Sequence, residues 1–218
     1  MIGGAAALAT MPGAVFAAAD PVERAMAAMG GRALLQSVRA ISWTGTAKIL
    51  DGKTPQDFGV ETRIEPFSRA RSQTWPLSEG RAAMRTVMIE RDGGFEVVNG
   101  AQTPLPPERA RYEREQFAAY AYMLLAGTNL TANGRTGVEG QRAGYPPIRF
   151  RLAPDGRLTG AEYSAAPSDP AGKPLAEHFA FSGSITATGL KWPRKIMITR
   201  DNRLYLSLTI DDLGIETR

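Results

Sequence analysis

Few residues in this chain are of a type and spacing that could do chemistry. His178 is the one histidine, and its neighbour Glu177 is a carboxylate able to polarise an imidazole. Both lie in a stretch where Leu175, Glu177, Phe179 and Phe181 alternate with Ala176, His178, Ala180 and Ser182. A period of two predicts a strand, and adjacent strand residues point to opposite faces, so these two cannot form an acid–base dyad. Ser182 and Ser184 follow, but Phe181-Ser182-Gly183 lacks the Gly-x-Ser-x-Gly turn that presents a nucleophile. Asp211-Asp212 follows the last apolar run. Without a histidine or further acids at ligand spacing, the pair reads as a solvated strand end and not as a metal site. Gly30-Gly31 and Gly93-Gly94 fit turns and not a phosphate loop. Cysteine is absent, which excludes thiol catalysis, Cys-ligated metals and a lipid-modified N-terminal Cys. The chain therefore reads as a non-enzyme without cofactor or metal. A hydrolase built on His178 is a third-ranked alternative.

The elements that would position side chains are clearer. Asp20-Pro21-Val22-Glu23 is a helix start, with a capping Asp, Pro at the first position and a capping-box acid. Val22, Ala25, Met26 and Met29 then form one helical stripe, interrupted by Gly30-Gly31. A short second helix presents Leu34, Leu35 and Val38. Trp43 to Leu50 reads as a strand turned by Asp51-Gly52. Phe58, Val60, Thr62 and Ile64 alternate with Gly59, Glu61, Arg63 and Glu65 in a half-buried strand. Pro66 ends it, and the next strand puts Phe67, Arg69, Arg71, Gln73 and Trp75 opposite Ser68, Ala70, Ser72 and Thr74. Those small residues make room for another backbone or for a ligand.

Arg85–Ile89 and Phe95–Val98 form a hairpin, followed by a Pro-rich connector over 103–107. Pro107 opens a helix running to about Ala126, charged in its first half and apolar almost all round in its second. Arg111 and Glu115 sit four apart and can pair. Residues 131–147 are loop-rich. Ile148–Leu152, Leu158–Tyr163 and Leu175–Ser182 are strands, with a polar turn over 164–174. Gly189 to Ile210 is a hairpin turned at Asp201-Asn202, with Leu204, Leu206, Leu208 and Ile210 on one face. Roughly nine to eleven strands result. The predicted fold class is α+β: a strongly curved antiparallel sheet forming an incomplete barrel, with an N-terminal and a central helix covering its concave side.

The 218 residues suit one domain over 20–218. The first 19 residues carry no charge, and Ala17-Ala18-Ala19 precede Asp20, so 1–19 is expected to be a signal peptide and the product soluble in the periplasm. Net charge is +4, and 21 of the 26 basic residues are Arg. They are dispersed, as on a solvated outer sheet face. Arg63, Arg69, Arg71, Arg81, Arg85 and Arg91 are examples. Weak attraction to anionic headgroups is the alternative. No basic helix or stacking platform suggests nucleic acid, and no run is long enough to stay in a membrane.

Several stretches resemble a known family. They are Met29-Gly30-Gly31 with Ala33-Leu34 and Val38, the strand Ile41 to Ile49 containing Gly45, the corner Ile64-Glu65-Pro66-Phe67-Ser68-Arg69, and Gly189-Leu190-Lys191-Trp192-Pro193-Arg194-Lys195-Ile196. Together they resemble the periplasmic lipoprotein carrier superfamily (LolA/LolB-like) and its outer-membrane lipoprotein-sorting-protein relatives. The resemblance implies a half-barrel roofed by helices, with a hydrophobic cavity that can hold acyl chains. The expected partner is a lipid, an acyl chain or a lipid-modified protein. Candidate cavity residues are Phe58, Val60, Ile64, Leu204, Leu206 and Leu208 on the sheet, with Phe117, Tyr120 and Leu124 in the roof. Taken singly, each reads first as ordinary core between sheet and helix, and only an unfilled cavity separates the two. The alternative function is an envelope scaffold with a filled core, acting on an envelope protein partner.

Overall fold

The computed structural model of the protein describes residues 20–50, 54–167 and 171–218. The expected signal peptide over 1–19, the Asp51-Gly52 turn and part of the 164–174 turn lie outside the described residues. The Asp20 carboxylate accepts from the Val22 amide at 3.1 Å and caps α1 (Pro21–Met29). Val22, Ala25, Met26 and Met29 are its buried residues, as their spacing requires. Gly30 turns the chain at φ 128°, where a Cβ would lie 2.7 Å from the Gly189 carbonyl oxygen. That close approach sets α1 against the segment before residue 190. The short helix α2 (Arg32–Ser37) then buries Leu35 and runs directly into β1 (Val38–Ile49).

From β1 the chain walks outward as an antiparallel meander: β2 (Gln56–Glu65), β3 (Arg69–Pro76), β4 (Arg85–Glu90), β5 (Gly93–Val98) and β6 (Ala101–Pro104). Helix α3 (Pro107–Met123) crosses over, and β7 (Asn129–Ala132), β8 (Gly137–Gln141), β9 (Ile148–Leu152), β10 (Leu158–Ala165) and β11 (Leu175–Ser182) walk back. A separate ribbon, β12 (Ile185–Ala187) with β13 (Leu190–Trp192), leads to β14 (Lys195–Arg200). The last strand, β15 (Arg203–Thr217), inserts between β14 and β1 and joins the two halves. Its turn from β14 is built by Asp201 and Asn202, both at positive φ (46° and 63°), the conformation a two-residue hairpin turn needs.

The result is one 13-stranded antiparallel sheet, ordered β6-β5-β4-β3-β2-β1-β15-β14-β11-β10-β9-β8-β7. It curves around α3. Tyr120 of that helix lies 5.1 Å from the Trp43 ring on β1 and 6.2 Å from Phe179 on β11. Phe117 lines one small space with Ile64, Ala70 and Ile89 of β2, β3 and β4. One helix, about 10 Å across, reaches all these strands only if the sheet wraps it. The expected α+β class and curved open sheet are therefore what the chain forms.

The strand count exceeds the nine to eleven expected. β6 runs into what read as a connector, β7 and β8 lie in or beside what read as loop, β13 is the start of the expected hairpin, and β12 precedes it. β6 is exposed throughout and β7 nearly so, so neither shows a buried–exposed alternation. They become strands because a neighbour offers an unpaired edge. The Asp211-Asp212 pair is also not at a strand end. Thr44 faces Asp212 while Gly45 faces Ile210, so Asp211 is the extra residue of a bulge within β15. The bulge keeps Ile210 and Leu213 on one face despite their odd spacing. It also brings the strands so close that a Cβ on Gly45 would lie 2.1 Å from the Thr209 carbonyl oxygen.

Candidate functional site

The concave side carries most of the candidate residues. Val60 (7% exposed), Ile64 (1%) and Leu208 (3%) are buried there, while Phe58 and Leu206 are half-buried. In the roof, Tyr120 is buried between Trp43 and Phe179, and half-buried Phe117 lies over Ile64. Leu124 is buried too, but α3 ends at Met123, so Leu124 packs just past the helix near Leu35, Val38 and Phe67. The helix is thus shorter than the expected run to Ala126. Leu125 follows at φ 52°, which breaks it before Gly127.

Leu204 is a correction. The residue is 41% exposed, and its pairing turns it away from the concave side. In β14–β15 Leu206 faces Ile198 but Leu204 faces Thr199, so Tyr205 is an extra residue at a bulge. Leu204 therefore shares the outer face with Thr199, and Tyr205 turns inward. The alternation read from the sequence holds for Leu206, Leu208 and Ile210 and fails one residue beyond the bulge.

Tyr205 meets a charged cluster on the concave side. Arg200 stacks over its ring at 3.3 Å, donates from Nε to Glu177 Oε1 at 2.6 Å, and also donates to the Tyr112 hydroxyl. Gln116 of α3 donates to the same Glu177 oxygen at 2.8 Å and to the Tyr163 hydroxyl at 2.6 Å. Glu177 is fully buried, and its Oε2 has no hydrogen-bond partner. On the other half of the sheet, Glu96 pairs with Arg85 and with Arg109 of α3, the latter at 3.5 Å. Glu113 lies within the field of Arg85, Arg109 and Arg200. Burial raises its carboxyl above the usual range, and the three guanidiniums only partly offset this. Burial also lowers Arg85, with Arg109 adding to the effect. Burial acts against the charge on Arg200, yet the Glu177 carboxylate and the Tyr112 and Tyr205 hydroxyls outweigh it and raise its value. Burial raises Tyr112 and Tyr163 far above the ordinary phenol. The first half of α3 is thus held to one half of the sheet by the Arg109–Glu96 ion pair and to the other by hydrogen bonds of Tyr112 and Gln116 to the charged Arg200–Glu177 pair, and the second half by apolar packing.

No family model matches the chain, and no curated protein matches it. Solved structures do. A LolA superfamily protein from Nitrosomonas europaea superposes with a TM-score of 0.55 at 10% identity, covering 91% of this chain and 93% of that one. An outer membrane lipoprotein-sorting protein domain from Vibrio parahaemolyticus gives 0.53 at 12% identity, covering 82% and 86%. A DUF1329 family protein from Desulfovibrio piger gives 0.55 at 10%, covering 90% and 94%. The fold is LolA-like.

Within this LolA-like sheet the charged cluster is a feature that apolar patterning misses, although the sequence carries a signal for it. Arg85 shares strand parity with Val87 and Ile89, Glu177 with Phe179 and Phe181, and Arg200 with Ile196 and Ile198. A charge at a core parity position marks a buried polar site. Arg85, expected on the solvated outer face with the other arginines, is turned inward to Glu96. Arg69, Arg71, Arg81 and Arg91 are exposed as expected, and Arg81 stacks on Trp75 at 4.3 Å. His178 faces outward, 41% exposed, with Nδ1 3.7 Å from Glu162 and the Glu177 side chain on the opposite face. The Arg111–Glu115 pair forms at 3.0 Å, and Glu115 also accepts from the Ala166 amide at 2.6 Å. No group of three or more metal-ligating side chains occurs among the described residues, and none of their helices is long and apolar enough to cross a membrane.

Proposed function

We propose that the protein holds the hydrocarbon part of a lipid, an acyl chain or a lipid-modified protein between α3 and the concave sheet, as a soluble periplasmic carrier or sensor. One observation carries this reading. On the apolar concave face Phe58 and Leu206 stay half-buried beside buried Val60 and Leu208. The roof over the rest of that face is held at one end by polar contacts, the Arg109–Glu96 pair and the hydrogen bonds of Tyr112 and Gln116 to Arg200 and Glu177, whose partners water can hydrogen-bond once the helix lifts. A chain lying along Phe58 and Leu206 would cover surface now open to solvent. Export rests on the uncharged run before Asp20 and on the likeness of the fold.

The test is displacement of a dansyl-labelled undecanoic acid, together with native mass spectrometry of the gently purified protein. Uptake by the wild type, weakened about tenfold or more in Leu206→Glu, supports carriage. A clean unliganded mass with no probe uptake sinks it. A second reading, an envelope scaffold with a filled core, is favoured by the packing beneath α3. The space among Ile64, Ala70, Ile89 and Phe117 is only about 20 Å³. That reading predicts no probe uptake and a protein partner in crosslinking.

A further inference from the structure

A second cleft lies at the far end of α3 from the charged cluster. Where α2, the β2–β3 corner and the end of α3 meet, the surface encloses about 390 Å³ over an apolar floor that includes Leu35, Phe67 and Leu124. Arg39, Arg63 and Arg142 line it, with Glu65 and Glu216. Arg218 borders it as well. Arg63 engages both acids: Nη1 reaches Glu65, and Nε and Nη2 reach Glu216 at 3.2 and 2.9 Å. Hydrogen bonds to Glu216 and Glu65 raise Arg63 well above its ordinary value, and the bond from Arg63 holds Glu216 below its own. Both carboxylates are therefore committed. Among the described residues no carboxylate lies within ion-pair distance of Arg39 or Arg142, and Arg39 acts on Glu216 only at longer range.

We propose that this cleft binds a phosphate group, with Arg39 and Arg142 supplying the charge. Arg142 is already held in place. It stacks over the Phe67 ring at 4.5 Å and donates from Nη1 to the Gly127 carbonyl. A guanidinium fixed in this way loses little freedom when it forks onto an oxyanion. Phe67 is itself fixed, at φ 57° in the left-handed region that a bulky residue seldom adopts. Tyr122 and Tyr145 meet its ring edge-on at 5.0 and 5.2 Å, and the Tyr145 hydroxyl donates to its carbonyl at 3.0 Å. Backbone strain of this kind persists where the surroundings over-determine it, often at ligand clamps. Phe67 also borders the small space under Phe117, so the phosphate of an amphiphile would sit one ring away from the roofed face. The volume accommodates a phosphate with a glycerol-sized substituent, and the apolar floor suits the first carbons of a chain. The inference stands on the cleft alone and does not require uptake of a chain on the concave face.

Calorimetric titration of the full chain tests it. The probes are inorganic phosphate, glycerol 3-phosphate and dihexanoyl phosphatidylglycerol, with dihexanoylglycerol as the uncharged control. Saturable binding of the phosphate-bearing probes, weakening with added salt and falling about tenfold in each of Arg39→Gln and Arg142→Gln, is the expected result. Binding of the soluble phosphates identifies a free-anion site, and binding of the lipid alone identifies a headgroup site. Arg71→Gln, which removes an exposed charge elsewhere on the sheet, should leave affinity unchanged, and melting curves confirm that each variant is folded. No saturable binding, or equal loss in Arg71→Gln, overturns the proposal. Leu206→Glu should keep phosphate binding while losing fatty-acid uptake, so the two readings can fail separately.

Discussion

Replacing Glu177 by Gln should loosen the clasp on α3 without removing any atom of its shape. The wild-type carboxylate is fully buried and receives Arg200 and Gln116, while the Arg200 side chain is 17% exposed. Removing one charge of a buried pair typically costs about 3–5 kcal/mol, because the other charge is left uncompensated. Arg200 would keep the Tyr112 hydroxyl and the Tyr205 ring, which places the expected loss near the lower figure, about 3 kcal/mol. For a chain of this length that corresponds to a fall in Tm of about 6–12 °C. Thermal melts at pH 7 measure it, and hydrogen exchange localises it. Amides over 107–116 should lose protection, while those of the apolar turn ending at Met123 keep theirs. Neutralising both partners in Glu177→Leu/Arg200→Met should recover most of the loss, since an apolar pair can replace a buried ion pair at little cost. A single variant that melts within about 1 °C of wild type, or a double variant that falls by the sum of both singles, would refute a charge-held roof.

Three further outcomes follow from the same geometry. Burial raises the Glu113 carboxyl, so the native state keeps that proton to higher pH than the unfolded chain, and the stability this gives is lost as pH rises from the ordinary 4.5 through the raised value. Glu113→Gln should therefore melt above wild type at pH 7 and together with it at pH 4. The β14–β15 bulge predicts opposite responses of two leucines that the sequence places on one face. In urea titrations Leu204→Ser should change stability by less than about 0.5 kcal/mol, and Leu208→Ala should cost about 2–4 kcal/mol. Gly45→Val should be more damaging than a Val at most strand sites, because its Cβ meets the Thr209 carbonyl oxygen at 2.1 Å and the strands cannot separate without losing the bulge register. An equilibrium loss under about 1 kcal/mol there would mean that β1 and β15 are not held so closely.

Much of this was legible in the chain itself. The alternation of Phe58, Val60, Thr62 and Ile64, the stripe of Val22, Ala25, Met26 and Met29, and the turn at Asp201-Asn202 follow from local periodicity and turn chemistry, and each reappears in the structure. They suffice for an open antiparallel sheet with an apolar face and a helix to cover it. What periodicity cannot carry is a change of register. Tyr205 and Asp211 each add a residue to one strand and not to its partner, and only pairing with β14 and β1 shows it. Nor can periodicity bring Glu177, Arg200, Tyr112 and Gln116 together, since they come from four positions separated by up to 88 residues. The sequence by itself determined the elements and the apolar face. The tertiary structure decided which charges are buried against that face and where the arginines converge, because a buried charge persists only where distant strands and the helix deliver its partner.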